Sequence, residues 1–316
     1  MTDWSGRLIA PRAAGHLSSG LRPTLSVLIP AYNAAETVGE AVESALTQVP
    51  PPLDVIVSDD GSEDDTSTVL TRFGDRVHVV RGPNRGLPTA RNRAAAAARG
   101  ELLGLLDADD VWLPGRADAL VSAASVRPDL SIITTDAIVV RDGRPDEATY
   151  YDCRDFEVTD QVDAILRKNF IFGAGAVRAE AFRAVRGYDP RARWAEDWDL
   201  WLRLILQGHR AGLVTSPLYE YRHRAESLSA QTVDLALGVL AVLERARPLV
   251  RDERRSAVLS ETEQEWRTAA VWYARATRDP RLRDLALAAL KVGGLPPVTR
   301  ARFLLATLLP ERHRIG

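Results

Sequence analysis

The chain of 316 residues contains one cysteine, one methionine and only two lysines, Lys168 and Lys291. A single thiol, Cys153, excludes an internal disulfide. Long hydrophobic runs are also missing. Stretches such as Phe303 to Leu309 fall far short of the roughly 18 to 20 apolar residues that span a bilayer. The start, Met-Thr-Asp-Trp-Ser, lacks the basic and apolar regions of a secretory signal. The expectation is a cytoplasmic protein, at most peripheral at the inner face of the membrane. Nor is there an excess of positive charge. With 41 Lys and Arg against 43 Asp and Glu the formal net charge is -2, so no overall basic field exists to hold nucleic acid, which is excluded as a partner.

What is present is enough apolar material for a large core, 46% hydrophobic residues against 27% charged. Residues 1–24 mix Gly, Ser, Pro and Arg without periodicity and read as a loose leader. From Leu25 apolar runs and helical spacings alternate. Leu25 to Ile29 reads as strand, Ala35 to Gln48 as helix, Leu53 to Val57 as strand, then a helix after Thr66. Val77 to Val80 follows as strand, Leu87 to Ala98 as an alanine-rich helix and Leu102 to Leu106 as strand. This order predicts an α/β fold with a mostly parallel central sheet, in which ligands sit at the carboxyl ends of the strands. Beyond Val140 the order becomes mixed. A polar loop runs from Arg141 to Glu157, a helix lies near Asp160 to Lys168, a strand near Ala174 to Arg178 and an amphipathic helix from Asp197 to Gln207. From residue 230 the chain reads as helices only.

The strand ends carry the chemistry. The first gives Pro30-Ala-Tyr-Asn33 and the second Ser58-Asp-Asp-Gly-Ser62. An aromatic beside a carboxylate can stack on a nucleobase and accept from its ring N–H, though Asp-Gly-Ser is also ordinary turn chemistry. The strand Leu102 to Leu106 runs into Asp107-Ala-Asp-Asp110, three carboxylates in four residues. Their mutual repulsion calls for a cation. Hard oxygen ligands suit Mn²⁺ or Mg²⁺, which takes one or two protein carboxylates and completes its shell with phosphate and water. The other reading is a solvated acidic loop that caps the following helix.

These segments, with Asn84-Arg-Gly86, Ala90-Arg-Asn92, Gly187-Tyr-Asp189 and Ala195-Glu-Asp-Trp-Asp199, resemble glycosyltransferase family 2, of the GT-A fold. The resemblance covers residues 25–229 and leaves 230–316 as a helical C-terminal region. It implies an inverting, metal-assisted transfer of a sugar from a nucleotide-diphosphate donor, a UDP-sugar by default, to an acceptor hydroxyl. By resemblance Pro30, Tyr32, Asp60, Asn84 and Arg91 line the nucleoside pocket, Asp107 approaches the ribose and the metal, and Asp109 ligates the metal. Asp197 is the general base, although a helix start stabilised by the macrodipole would also account for it. Relatives often carry a histidine in a Tyr-Arg-x-His pattern. Here His223 stands one place early and Arg224 occupies that position, so either is a candidate diphosphate contact.

The Gln-x-x-Arg-Trp signature of processive synthases is absent, which implies one transfer per encounter. Phe170, Phe172, Trp194 and Trp198 are candidate sugar-stacking rings or core. The acceptor is a glycan, a lipid-linked sugar or a small molecule. Lys291, Arg300, Arg302, Arg312 and Arg314, interleaved with Phe303, Leu304 and Leu305, suit a membrane surface, packing on the catalytic domain or a homodimer contact. A catalytically inactive nucleotide-sugar-binding partner is the competing function. A dinucleotide oxidoreductase is rejected, because no glycine follows the first strand.

Overall fold

The computed structural model describes residues 7–10, 21–223, 232–291, 295 and 297–307. The chain divides into two compact units, Met1–Arg224 and Ala225–Gly316.

Unit 1 alternates strand and helix. In chain order it contains β1 (Leu8–Ile9), β2 (Leu25–Ala31), α1 (Val38–Leu46), β3 (Asp54–Asp59), α2 (Thr66–Thr71), β4 (His78–Arg81), α3 (Leu87–Ala97), β5 (Leu102–Leu105) and β6 (Val111–Trp112). Then come α4 (Arg116–Val126), β7 (Ile132–Arg141), β8 (Arg144–Thr149), α5 (Gln161–Arg167), β9 (Ala176–Arg178), α6 (Ala179–Ala184), α7 (Glu196–Leu206) and β10 (Ala211–His223). The strands form one sheet in the order β1-β10-β7-β9-β5-β2-β3-β4, with β6 on β10 and β8 on β7. Within β5-β2-β3-β4 every pairing is parallel, as the alternation predicts, and β7 and β10 are parallel to each other. Strand β9 runs antiparallel to both β5 and β7 and joins the two halves. Strands buried on both faces need continuous apolar sequence. Val27, Leu28, Ile29, Ile56, Val57, Leu102, Leu103 and Leu105 are all buried.

Three features depart from the sequence reading. Leu8–Ile9, inside the expected loose leader, pairs with Leu213 and Val214 of β10 as an edge strand. The polar stretch after Arg141 returns as β8, a hairpin arm on β7 whose largely exposed residues give no alternation to read. The long strand β10 also goes unforeseen. Pro217 interrupts it, and the register with β7 shifts on both sides of that residue because proline has no N–H to give the ladder.

Unit 2 contains α8 (Val233–Ala246), α9 (Glu253–Thr277), α10 (Leu282–Lys291) and α11 (Pro297–Thr307). Asp252 caps α9 by accepting from the backbone N–H groups of Arg254 and Arg255. Val271 of α9, Ala286 and Ala289 of α10, and Phe303 and Ala306 of α11 form one buried cluster, edged by Trp272.

Candidate active site

The carboxyl ends of β2, β3 and β5 converge. Pro30 lies within β2, opposite Ser58 of β3, and Tyr32 just beyond it is 47% exposed. Asn33 adopts a left-handed φ of 49° and latches the two loops together. Its backbone N–H donates to Ser62 Oγ at 2.9 Å, and its Oδ1 accepts from the N–H of Glu63 at 2.9 Å. Asp60 is buried. Its Oδ2 accepts from the N–H groups of Arg85 (3.0 Å) and Gly86 (2.8 Å), and Arg93 donates to its Oδ1 at 3.2 Å. The carboxylate thus holds the loop that carries Asn84, which is itself exposed, with Oδ1 accepting from the Gly86 N–H. That loop passes so close that a Cβ on Gly61 (φ 78°) would lie 2.9 Å from the Asn84 nitrogen.

The three carboxylates after β5 take separate tasks. Asp110 is buried, accepting from Tyr219 Oη at 2.7 Å and from the Arg222 N–H at 2.8 Å, both in β10. Burial, then the charges of Asp107 and Asp109, push its pKa well up. Asp109 and Asp107 are half-buried on the loop above it. Asp107 Oδ1 accepts from Arg91 Nη2 at 2.7 Å.

Arg91, on α3, is 3% exposed and points its other amino group, Nη1, at Glu196 Oε1, also at 2.7 Å. Its guanidinium stacks 5.3 Å from the Tyr188 ring centroid. One buried cation therefore ties the acidic motif at the end of β5 to the one that opens α7, from positions 16 and 105 residues away. The sequence suggested that Arg91 lines the nucleoside pocket; in the fold its two amino groups are engaged with these acids beneath the surface.

Next to Glu196, Asp197 lies in the first turn of α7. Its Oδ1 accepts from the Trp198 N–H at 2.7 Å, and its Oδ2 accepts from Asn169 Nδ2 at 2.9 Å. Burial raises its pKa against these hydrogen bonds and the attraction of Arg91. Glu196 is raised to about 7, burial outweighing an arginine it shares with Asp107. Gly173 passes directly over Asp197; a Cβ there would fall 2.8 Å from Oδ2. The segment 169–173 is pinned by the Tyr151 hydroxyl, which donates to the Phe170 carbonyl and accepts from the Phe172 N–H.

Phe170, Phe172 and Trp198 are buried and belong to the core, while Trp194 is half-buried. His223 is half-buried at the end of β10, its ring 6.3 Å from that of Tyr221. Arg224 lies outside the described residues. A cavity of about 320 Å³ lies elsewhere, between Tyr151, Arg154, Leu213 and Thr215, and none of the site residues expected from the sequence lines it. Sequence reasoning placed Asn169 in a segment facing the acceptor without its partner Asp197, and missed Tyr151 and Tyr219. Asn169 partners Asp197 from 28 residues away and Tyr219 partners Asp110 from 109, so no local pattern marks them.

Among the described residues no group of three or more His, Cys, Asp or Glu side chains forms a metal cluster. The donor set of Asp109 with Asp107 fits a hard divalent cation that keeps most of its shell for phosphate and water.

Residues 26–186 match the profile described as Glycosyl transferase family 2. The succinoglycan biosynthesis protein ExoU of Rhizobium meliloti is 34% identical over 224 residues, 66% of this chain and 65% of that protein, so the match spans just under two thirds of the relative's length. S. aureus TarS 1–349, solved in complex with UDP-GlcNAc, superposes with a TM-score of 0.62 at 18% identity, covering 90% of this chain and 89% of that one. Mannosyltransferase PcManGT from Pyrobaculum calidifontis, solved with GDP-Man and Mn²⁺, gives 0.58 at 19% identity over 95% and 88%. At those identities the superpositions establish the GT-A fold, and the profile match, over half of the chain, establishes the rest: this protein is a member of glycosyltransferase family 2.

Proposed function

We propose that the protein is an inverting, non-processive glycosyltransferase that moves a sugar from a nucleotide-diphosphate donor to a saccharide hydroxyl with the help of Mn²⁺ or Mg²⁺. The observation that carries this reading is the Arg91 bridge, which sets the metal-type acidic loop and the base-type acidic pair on either side of one buried guanidinium. Support comes from the nucleotide-sugar ligands of the two fold relatives and the polysaccharide for which ExoU is named.

Pro30, Tyr32, Asp60 and Asn84 form the wall on which the nucleoside rests, with Tyr32 the exposed ring. Asp107 faces the ribose and Asp109 holds the metal. When bound, the cation supplies positive charge against the departing diphosphate. Asp197 accepts the proton of the acceptor hydroxyl as that oxygen attacks the anomeric carbon on the face opposite the leaving group, so the configuration inverts. The raised pKa suits this role, because a base with a higher pKa gains more from taking the proton. Asn169 fixes Oδ2 of that carboxylate and Gly173 leaves room above it.

The test is a pair of variants. Asp197→Asn lowers kcat by roughly 10²–10⁴ and leaves nucleotide binding within about two-fold. Asp109→Asn also weakens the metal-dependent part of nucleotide binding. Undiminished transfer by the Asp197 variant would remove the base assignment.

A further inference from the structure

Helix α11 has a face that the fold leaves uncovered. Phe303 and Ala306 are 1% and 6% exposed and point into the cluster with Val271, Ala286 and Ala289. Val298, Leu304 and Leu305, in contrast, are 64%, 50% and 65% exposed. At about 100° per residue from Pro297, Leu304 falls near −20°, Ala301 near 40°, Leu305 near 80° and Val298 near 100°. These residues and Pro297 make one apolar arc of about 120°. Arg300, near −60°, and Arg302, near 140°, stand at its two borders, and the buried residues occupy the far side, near 180° to 240°. Both arginines are exposed. Arg302 is stacked 5.7 Å from the Trp272 ring centroid, which holds one border cation in place.

A helix already anchored by one apolar face has no need of a second for folding. Two basic residues bordering an exposed apolar arc is the pattern of a helix that lies in a lipid interface, with its leucines in the acyl boundary and its arginines at the head groups. Charge agrees. Between Leu282 and Thr307 the basic residues are Arg283, Lys291, Arg300 and Arg302 and the only acid is Asp284, in a chain whose net charge is -2. Among the described residues no helix is long and apolar enough to cross a membrane.

We propose that α11 docks unit 2 on an anionic lipid surface, with Val298, Leu304 and Leu305 inserted and Arg300 and Arg302 paired with lipid phosphates. Each basic residue near such a surface strengthens partitioning by about five-fold at low salt. The surface is built from residues of unit 2 alone and the inference uses none of the donor-site residues, so it stands whether or not the proposed reaction is correct.

The test is cosedimentation of the full chain with vesicles of phosphatidylcholine alone or with phosphatidylglycerol added. Binding is expected to the mixed vesicles at least about ten-fold more strongly than to the neutral ones, and to weaken as salt rises from about 0.1 to 0.5 M. Val298→Glu with Leu305→Glu should reduce it by at least about ten-fold, and Arg300→Gln should reduce it about five-fold. All three substitutions lie on exposed positions, and an unchanged circular dichroism spectrum and thermal midpoint verify that the variants fold. Equal binding of variant and parent overturns the proposal. So does absence of binding to either vesicle, and so does a dimer by light scattering that the double variant dissociates in place of vesicle binding.

Discussion

Glu196 carries a consequence of the Arg91 bridge that can be measured without a substrate. One guanidinium serves Asp107 and Glu196 directly and lies close enough to Asp197 to lower its pKa. Three carboxylates against one buried cation leave an excess of negative charge, and burial makes Glu196 the one that takes up a proton, its pKa raised from 4.5 to about 7. Because the folded pKa exceeds the unfolded one, the folded state binds more protons between those values. Its stability therefore falls as pH rises from about 4.5 to about 7, with the contribution fully present below the lower value. Glu196→Gln should flatten that part of the stability profile in denaturant titrations at several pH values, whereas an unchanged slope would show that Glu196 is ionised throughout. The residues of this bridge were partly legible. Arg91, Glu196 and Asp107 all stand in motifs recognisable in the sequence, but an arginine in an alanine-rich helix reads as a solvent or ligand contact. Only the fold shows it enclosed. Arg116 makes the same point more sharply, lying fully buried between the rings of Trp112 and Tyr219 with its pKa lowered to about 9 by desolvation.

At the scale of elements, β10 supports the acidic loop from below. Tyr219 donates to Asp110 and accepts from the Asp107 N–H at 3.3 Å, while the Arg222 N–H fills the other oxygen of Asp110. Arg222 also pairs with Glu40 of α1, so the loop, the helix after β2 and the end of β10 are bound into one frame. Removing one hydroxyl from this frame strands a buried carboxyl oxygen. Tyr219→Phe should cost about 1–3 kcal/mol in urea unfolding. It should also raise the Mn²⁺ concentration needed for half-maximal nucleotide binding, since Asp107 and Asp109 lose their fixed footing. A loss of stability with unaltered metal dependence would confine Tyr219 to the core. The parallel half of the sheet could be read from the sequence because its strands are short, apolar and bounded by turn chemistry. Strand β10 could not, because Thr215, Ser216 and Pro217 break its apolar pattern, and its partner strands are distant in the chain. The bulges that accommodate Pro217 lie between the stretches that pair with β1 and β6, where the ladder can tolerate them.

The whole molecule consists of two compact units, and only the first contains the proposed donor site. A ligand that binds the folded state alone stabilises it by mass action, by about 2.7 kcal/mol at a hundred-fold excess over Kd. In a unit of this size each kcal/mol moves the midpoint by about 2–4 °C, so the right nucleotide should raise the melting of unit 1 by about 5–10 °C. Unit 2 has its own cluster around Val271 and Phe303. A calorimetric comparison of UDP, GDP, dTDP and CDP, each with and without Mn²⁺, therefore separates several readings at once. A shift with one nucleotide that needs the cation identifies the donor base and supports the carboxylate–metal–diphosphate arrangement. A shift that is indifferent to Mn²⁺ would leave Asp109 without its assigned task and point to the basic end of β10 as the counter-charge. No shift with any of the four would favour a descendant of the family that has lost its donor, which is the one outcome the retained Asp107, Asp109 and Asp197 argue against.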